Sequence, residues 1–141
     1  AWTYWRAFCP ANYNDRAEIR EIEPYVHCQS THGQPSRRHG NSRISWLTGT
    51  ATWALVAITQ YILGIRPDYH GLIIDPCIPK KWKGFEVKRV FRGCTYFITV
   101  RNPKGLNKGV KHLIVDGNKI SGNRAPLFKD DLDHHVEAVL G

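Results

Sequence analysis

Residues 45–64, SWLTGTATWALVAITQYILG, decide how the chain is read. Drawn as one helix, they place apolar residues on every side, among them Leu47, Ala51, Trp53, Leu55, Val56, Ile58, Tyr61 and Ile62. A helix apolar all round belongs inside a helical assembly rather than on a surface. Its front end is small and polar, with Ser45, Thr48, Gly49 and Thr50. Two roles are open for that end. A Ser or Thr caps a helix in the ordinary way. The same hydroxyls, beside free backbone N–H groups and the positive end of the macrodipole, could also hold an anion such as phosphate. Gly64 is placed to end the helix in a left-handed conformation, and Pro67 prevents it from resuming.

Upstream, residues 1–8, AWTYWRAF, read as the end of an aromatic-rich helix that Cys9-Pro10 and Asn12 interrupt. Residues 15–22, DRAEIREI, suit a short helix or a turn, and Pro24 pushes Glu23 towards extended geometry. YVHCQ (25–29) is too short to assign to helix or strand. STHGQPSRRHGNSRI (30–44) reads as a long polar loop, with His27, His32, His39, Arg37, Arg38 and Arg43 in or beside it. A loop of that length in a compact protein is usually functional or mobile.

Downstream of Pro67 the pattern changes from helical to partly alternating. Strands are expected over 72–75, 85–91, 94–101, 111–115 and 135–140, all rich in β-branched and aromatic residues. Arg92-Gly93 and Asp116-Gly117 are hairpin-turn signals, and Asn102-Pro103-Lys104-Gly105 is a loop. Short strands joined in this way predict an antiparallel β-sandwich or half of one. The boundary between the helical and β parts then falls near residues 66–71.

The length of 141 residues allows one domain or pieces of two. The net charge of +8 is carried by dispersed groups such as Arg37-Arg38, Lys80-Lys81-Lys83 and Lys88-Arg89. With no long basic run or nucleic-acid motif, this reads as a solvated basic surface, and no nucleic-acid partner is expected. Thr50, Thr52, Thr59 and Gln60 interrupt the longest apolar stretch, so no membrane span is expected. The chain has no Met, opens inside a helix without a cap and shows no leader pattern. The expectation is therefore the C-terminal part of a longer protein. Its four cysteines, Cys9, Cys28, Cys77 and Cys94, are far apart and read as reduced thiols in a cytoplasmic setting.

Three kinds of site chemistry can be weighed from spacing. His27, Cys28 and His32 are close in sequence, and His134-His135 are adjacent, but none has the paired spacing of a zinc site. No metal is expected, and loop histidines are the simpler reading. Cys28 beside His27 resembles a nucleophile and its base only in sequence, because adjacent side chains usually diverge. Asp15, Glu18, Glu21 and Glu23 cluster before the loop, and Glu23 could face a sugar, although a solvated charged face is the simpler reading. Tyr25, Trp46 and Trp53 could stack on sugar rings, with core packing as their default role.

Several segments together resemble one family. EPYVHCQ (23–29), SWLTGTATW (45–53), QYILGIRPDYHGLIIDPCIPKKWKGFEVKRVFRG (60–93) and the later VRNPKG and VDGNKI are similar to the C-terminal end of glycoside hydrolase family 94. That family comprises inverting cellobiose, cellodextrin, laminaribiose and chitobiose phosphorylases. The similarity runs in register over almost the whole chain. It implies a mixed fold: residues 1–66 as the last helices of an (α/α)6 catalytic barrel, followed by residues 67–141 as a C-terminal antiparallel β-sandwich domain.

The resemblance also implies a reaction. Inorganic phosphate attacks the anomeric carbon of a β-linked disaccharide, opposite the leaving sugar, and a single Asp protonates the glycosidic oxygen. The product is an α-sugar 1-phosphate, with cellobiose as the expected substrate and no cofactor required. The family's general acid, and the Arg and His partners of phosphate, lie upstream of the matching region, so no catalytic residue is assigned here. Thr48 and Gly49 match positions that bind phosphate through a hydroxyl and a backbone N–H. Gln29 matches a glutamine that binds the sugar in the −1 subsite. His27 and Cys28 depart from the commoner Tyr and Ala beside that glutamine, and the loop 30–43 is unlike the shorter, more acidic one of cellobiose phosphorylases. These departures bear on the substrate: the loop points to a cellodextrin or laminaribiose relative, and a chitobiose phosphorylase of the same family is a further alternative. Family resemblance further implies a homodimer. An alternative of another class is a non-catalytic carbohydrate-binding β module with a helical attachment.

Overall fold

The computed structural model describes residues 1–141, and its contacts separate two compact units, Ala1–Ile58 and Thr59–Gly141. The division falls within the helical run that the sequence picks out.

The first unit begins with helix α1, Trp2–Phe8. Pro10 then starts a 3-10 helix, Pro10–Arg16, because a proline needs no donor in a first turn. Helix α2, Ala17–Arg20, follows directly and ends at Glu21 in a left-handed conformation. Strands β1, Cys28–Thr31, and β2, Ser42–Ser45, pair antiparallel, with Cys28 opposite Ser45 and Thr31 opposite Ser42. The ends of the expected polar loop are therefore strands. Its middle is held by backbone bonds such as His32 N–H to Asn41 C=O and Gly40 N–H to His32 C=O, both 2.9 Å.

Helix α3 is Thr50–Val56, and the chain widens into a π-helical turn over Ala57–Ile62. The Trp5 indole ties α1 to α3 by donating to the Ala54 carbonyl (3.0 Å). The expectation of a helix buried all round is corrected here. Of its apolar residues, Ala54 and Ile62 are buried, whereas Leu47, Trp53, Leu55 and Tyr61 are more than half exposed. The first unit is too small to surround a helix: its short elements bury only Val26 and Ala54 as apolar core, beside Pro10, Arg20, Asn41 and Ser42.

The second unit carries the hydrophobic core. Its three-stranded sheet runs β3 (Ile65–Asp68), β4 (Gly71–Ile74), β9 (Arg124–Pro126). Its five-stranded sheet has the order β5 (Gly84–Phe91), β6 (Cys94–Arg101), β10 (Asp133–Leu140), β7 (Val110–Val115), β8 (Asn118–Ile120). Alternation fixes which side is inward: on β6, Cys94, Tyr96, Ile98 and Val100 are buried, and on β10, His134, Val136, Ala138 and Leu140 are. These meet Ile65, Leu72, Ile74 and Ala125 from the smaller sheet in one core.

Both expected hairpins form. Arg92 and Gly93, and Asp116 and Gly117, all have positive φ, the signature of the tight turn that matches strand twist. The Asn102 loop is pinned by its own fully buried side chain, which donates to the Trp82 and Leu106 carbonyls and accepts from the Leu106 N–H (2.9, 2.8 and 2.8 Å). The expectation of purely antiparallel pairing fails at one place. β10 runs parallel to β6, with Val136 opposite Ile98, because the last strand returns by a long connection to insert between β6 and β7. No helix is long and apolar enough to cross a membrane.

Candidate active site

The first unit contains a cleft of about 620 Å³ lined by α1, the 3-10 helix, α2 and the β1–β2 hairpin. Gln29 lies on β1, exposed, in its wall, beside His27, Cys28 and Thr31. Basic groups from several elements also line it: Arg16, Arg20, His32 and His39. The Arg20 guanidinium is buried and donates to the Val26 carbonyl (2.9 Å), which fixes its charge behind β1.

That charge shapes the neighbours. Burial, then the Arg20 cation, hold the His27 imidazole below its ordinary range. For Cys28, burial pushes the thiol up, but hydrogen bonds with Thr31 and Ser42 and the Arg20 charge outweigh it and leave the thiol below its ordinary value. Cys28 Sγ lies 3.3 Å from Thr31 Oγ1, which is in turn 3.0 Å from Ser42 Oγ. The cleft wall at Gln29 is therefore cationic, with a neutral imidazole and a hydrogen-bonded thiol alongside.

Of the other expected site residues, Thr48 and Gly49 stand at the front of α3, half-buried and exposed respectively. The structure places Thr50, not Thr48 or Gly49, in the cleft wall with Gln29. Thr48 is one hydrogen bond away: its Oγ1 is 2.8 Å from Thr50 Oγ1 and accepts the Thr50 N–H (3.1 Å). Gly49, not Thr48, is the N-cap residue of α3 and no side chain caps the helix; the Thr48 contact is a local turn bond ahead of it.

Glu23 is not set up as an acid. A backbone hydrogen bond, the Trp46 indole (3.0 Å) and Ser45 all favour its carboxylate, so it stays ionised below the usual range. The default of core packing for Tyr25, Trp46 and Trp53 is also corrected, because each is more than 70% exposed. Tyr25 and Trp46 have positive φ, uncommon for residues other than glycine. Sequence reasoning missed Arg16, Arg20 and Thr50 as cleft residues. Arg20 carried no signal in a charged helical segment, whereas Thr50 was visible as a neighbour of the Thr48-Gly49 pair.

Residues 1–64 match the model of the glycosyl hydrolase 94 superfamily, catalytic domain. Over 141 residues, all of this chain, 45% are identical to an N,N'-diacetylchitobiose phosphorylase of Vibrio proteolyticus, of which the match covers 18%. A solabiose phosphorylase of Paenibacillus borealis is 44% identical over 118 residues, 84% of this chain and 15% of that protein. A cellobionic acid phosphorylase of Neurospora crassa is 37% identical over 95 residues, 67% of this chain and 11% of that protein. The chain thus spans less than a fifth of the length of these relatives.

Proposed function

Since the chain belongs to the glycosyl hydrolase 94 family, we propose that it is the C-terminal part of an inverting disaccharide phosphorylase that uses inorganic phosphate on a β-linked, N-acetylated disaccharide. The observation that carries this reading is the 45% identity, without loss of coverage, to a diacetylchitobiose phosphorylase. Cellobiose, the substrate expected from the sequence, gives way to N,N'-diacetylchitobiose on the same observation. Residues 1–66 supply the last helices of the catalytic barrel and 67–141 the β-sandwich domain; the catalytic-domain match, which ends at residue 64, supports that division.

In this reading Gln29 hydrogen-bonds the sugar that becomes the 1-phosphate. Thr48 donates its hydroxyl proton, and Gly49 its backbone N–H, to the attacking phosphate. One hydroxyl serves two roles: its lone pair takes the Thr50 N–H while its proton remains available to an anion. Arg20 adds a fixed positive charge behind the Gln29 strand, favouring a dianionic reactant nearby. The general acid belongs to the upstream part of the enzyme, and the exposed Leu47, Trp53 and Leu55 are covered by that part. The enzyme acts as a homodimer in the cytoplasm.

The test uses the full-length protein with phosphate and, in parallel, N,N'-diacetylchitobiose, cellobiose and laminaribiose. Release of α-N-acetylglucosamine 1-phosphate from the first, well above glucose 1-phosphate from the others, is expected. Preference for cellobiose would overturn the substrate assignment, and absence of any sugar 1-phosphate would overturn the reaction. The 141-residue chain by itself should release none.

A further inference from the structure

The β unit brings together three side chains of metal-binding type from separate parts of the chain. They are Cys94 at the start of β6, Asp130 in the segment before β10, and His134 on β10. Asp130 Oδ1 lies 3.4 Å from Cys94 Sγ and 3.1 Å from His134 Nε2, and all three ligand atoms fall within 4.8 Å of one another. A tetrahedral zinc ion with ordinary Zn–S, Zn–N and Zn–O bonds has ligand-to-ligand edges of about 3.3–3.6 Å. The two separations from Asp130 are close to those edges.

The surroundings suit a zinc ligand set as well. Asp116 Oδ2 accepts from His134 Nδ1 (2.8 Å), which leaves Nε2 facing Cys94 and Asp130. Asp116 is itself held, since its Oδ1 accepts the His135 backbone N–H (2.8 Å). A carboxylate on the far nitrogen is the usual orienting partner of a metal-bound histidine. Phe128 stacks on the His134 ring at 3.7 Å and 13°, and the Tyr96 ring stands 5.7 Å away on another side, which fixes the imidazole plane. Cys94 is fully buried and His134 nearly so, whereas the Asp130 side chain is 41% exposed, giving an ion a way in.

We propose that Cys94, Asp130 and His134 form a zinc-binding site, oriented by Asp116, that clips the 127–132 segment and β10 to β6. Binding forms bonds from the ion to Cys94 Sγ, His134 Nε2 and an Asp130 oxygen. It releases the thiol proton, and the Nε2 proton where the ring is protonated, to solvent, and no electron moves. A water on the solvent side beside Asp130 completes four-coordination. A thiolate–imidazole–carboxylate set favours zinc over magnesium or calcium. The site is separate from the cleft and does not depend on the phosphorylase reading.

The experiment takes the full chain, dialyses it against chelator, adds zinc chloride or cobalt(II) chloride, removes excess metal and measures retained metal, thermal unfolding and the near-ultraviolet spectrum. Wild type should retain one zinc per chain, unfold at a higher temperature with zinc, and show a thiolate-to-cobalt charge-transfer band. Cys94→Ser should lose the band and the thermal shift. Asp130→Asn, at an exposed position and nearly isosteric, should lose the shift and weaken retention even if Cys94→Ser misfolds. Asp116→Asn should weaken zinc about 10–100-fold. No retained zinc in wild type, or equal retention and thermal shift in wild type and Asp130→Asn, would overturn the proposal and leave His134 as a hydrogen-bonded clasp between Asp116 and Asp130.

Discussion

Thr48 Oγ1 accepts the Thr50 backbone N–H at 3.1 Å, and the two hydroxyls lie 2.8 Å apart. The first contact satisfies an N–H that a helix front would otherwise leave unpaired. The second links Thr48 to a residue in the wall of the Gln29 cleft. A phosphate taking the Thr48 proton would leave the bond from the Thr50 N–H to the Thr48 oxygen unbroken.

Thr48→Val removes both roles while keeping the shape of the side chain. In the full-length enzyme the KM for phosphate should rise about tenfold or more, the cost of one hydrogen bond to a charged group. The disaccharide KM should move much less, and loss of the bond to the Thr50 N–H should cost about 1 kcal/mol of stability. Thr48→Ser should retain both. Initial rates at varied phosphate, with urea unfolding of the same variants, check this. An unchanged phosphate KM would remove Thr48 from the site.

The β unit should fold without the first. Every residue of the hydrophobic core cluster lies between Ile65 and Leu140. Burial of apolar area is the main favourable term in folding, so a chain of residues 59–141 holds most of what stabilises the protein. It should unfold cooperatively in urea, with dispersed amide signals. Residues 1–58, with few buried apolar side chains, should not. A collapsed but uncooperative 59–141 chain would contradict this.

The β unit was legible where the local signals were strong. Arg92-Gly93 and Asp116-Gly117 announced their turns because two consecutive residues must take positive φ there. Cys94 to Val100 announced its inward side by alternation. β3, β8 and β9 are three or four residues each, too short for any period to show. The parallel pairing of β10 with β6 is a property of the connection between them, which no window of sequence contains. Gln29 in the cleft, and Thr48 and Gly49 at the front of α3, stood out by resemblance to a family. Arg20 did not, because its position behind β1 depends on the Val26 carbonyl, six residues away and brought round by the turn. The exposure of Trp53 and Leu55 was unreadable for another reason: an apolar pattern says that a face wants cover, and cannot say which residues supply it.

His27 should titrate below an ordinary histidine. Burial and the Arg20 charge both disfavour its protonated form, so its folded pKa lies under the reference value of 6.5. The unfolded chain then binds the proton more tightly. His27's contribution to the stability of the first unit is present above the unfolded value and falls away as pH drops through it towards the folded pKa. Imidazole carbon chemical shifts followed from about pH 8 to about pH 4 report the midpoint, with His27→Gln identifying the signal. A midpoint at or above 6.5 would contradict the arrangement around Arg20.

Gly64 and Gly117 both have positive φ, at +71° and +79°, yet their surroundings differ. A Cβ on Gly64 would sit 2.1 Å from the Asp75 carbonyl oxygen and 2.5 Å from Pro76 N, atoms of a backbone held in place by the Asp75 N–H to Gly64 C=O bond (2.8 Å). A Cβ on Gly117 would meet nothing within 4 Å. Gly117→Ala should therefore cost only the left-handed conformation, about 1–2 kcal/mol. Gly64→Ala adds a clash with backbone that cannot swing aside, and should cost about 3 kcal/mol or more. Urea unfolding of the two variants of the full chain separates the terms. Equal losses would show that the end of β4 yields, and that close approach of Asp75 is not what requires a glycine after the helix.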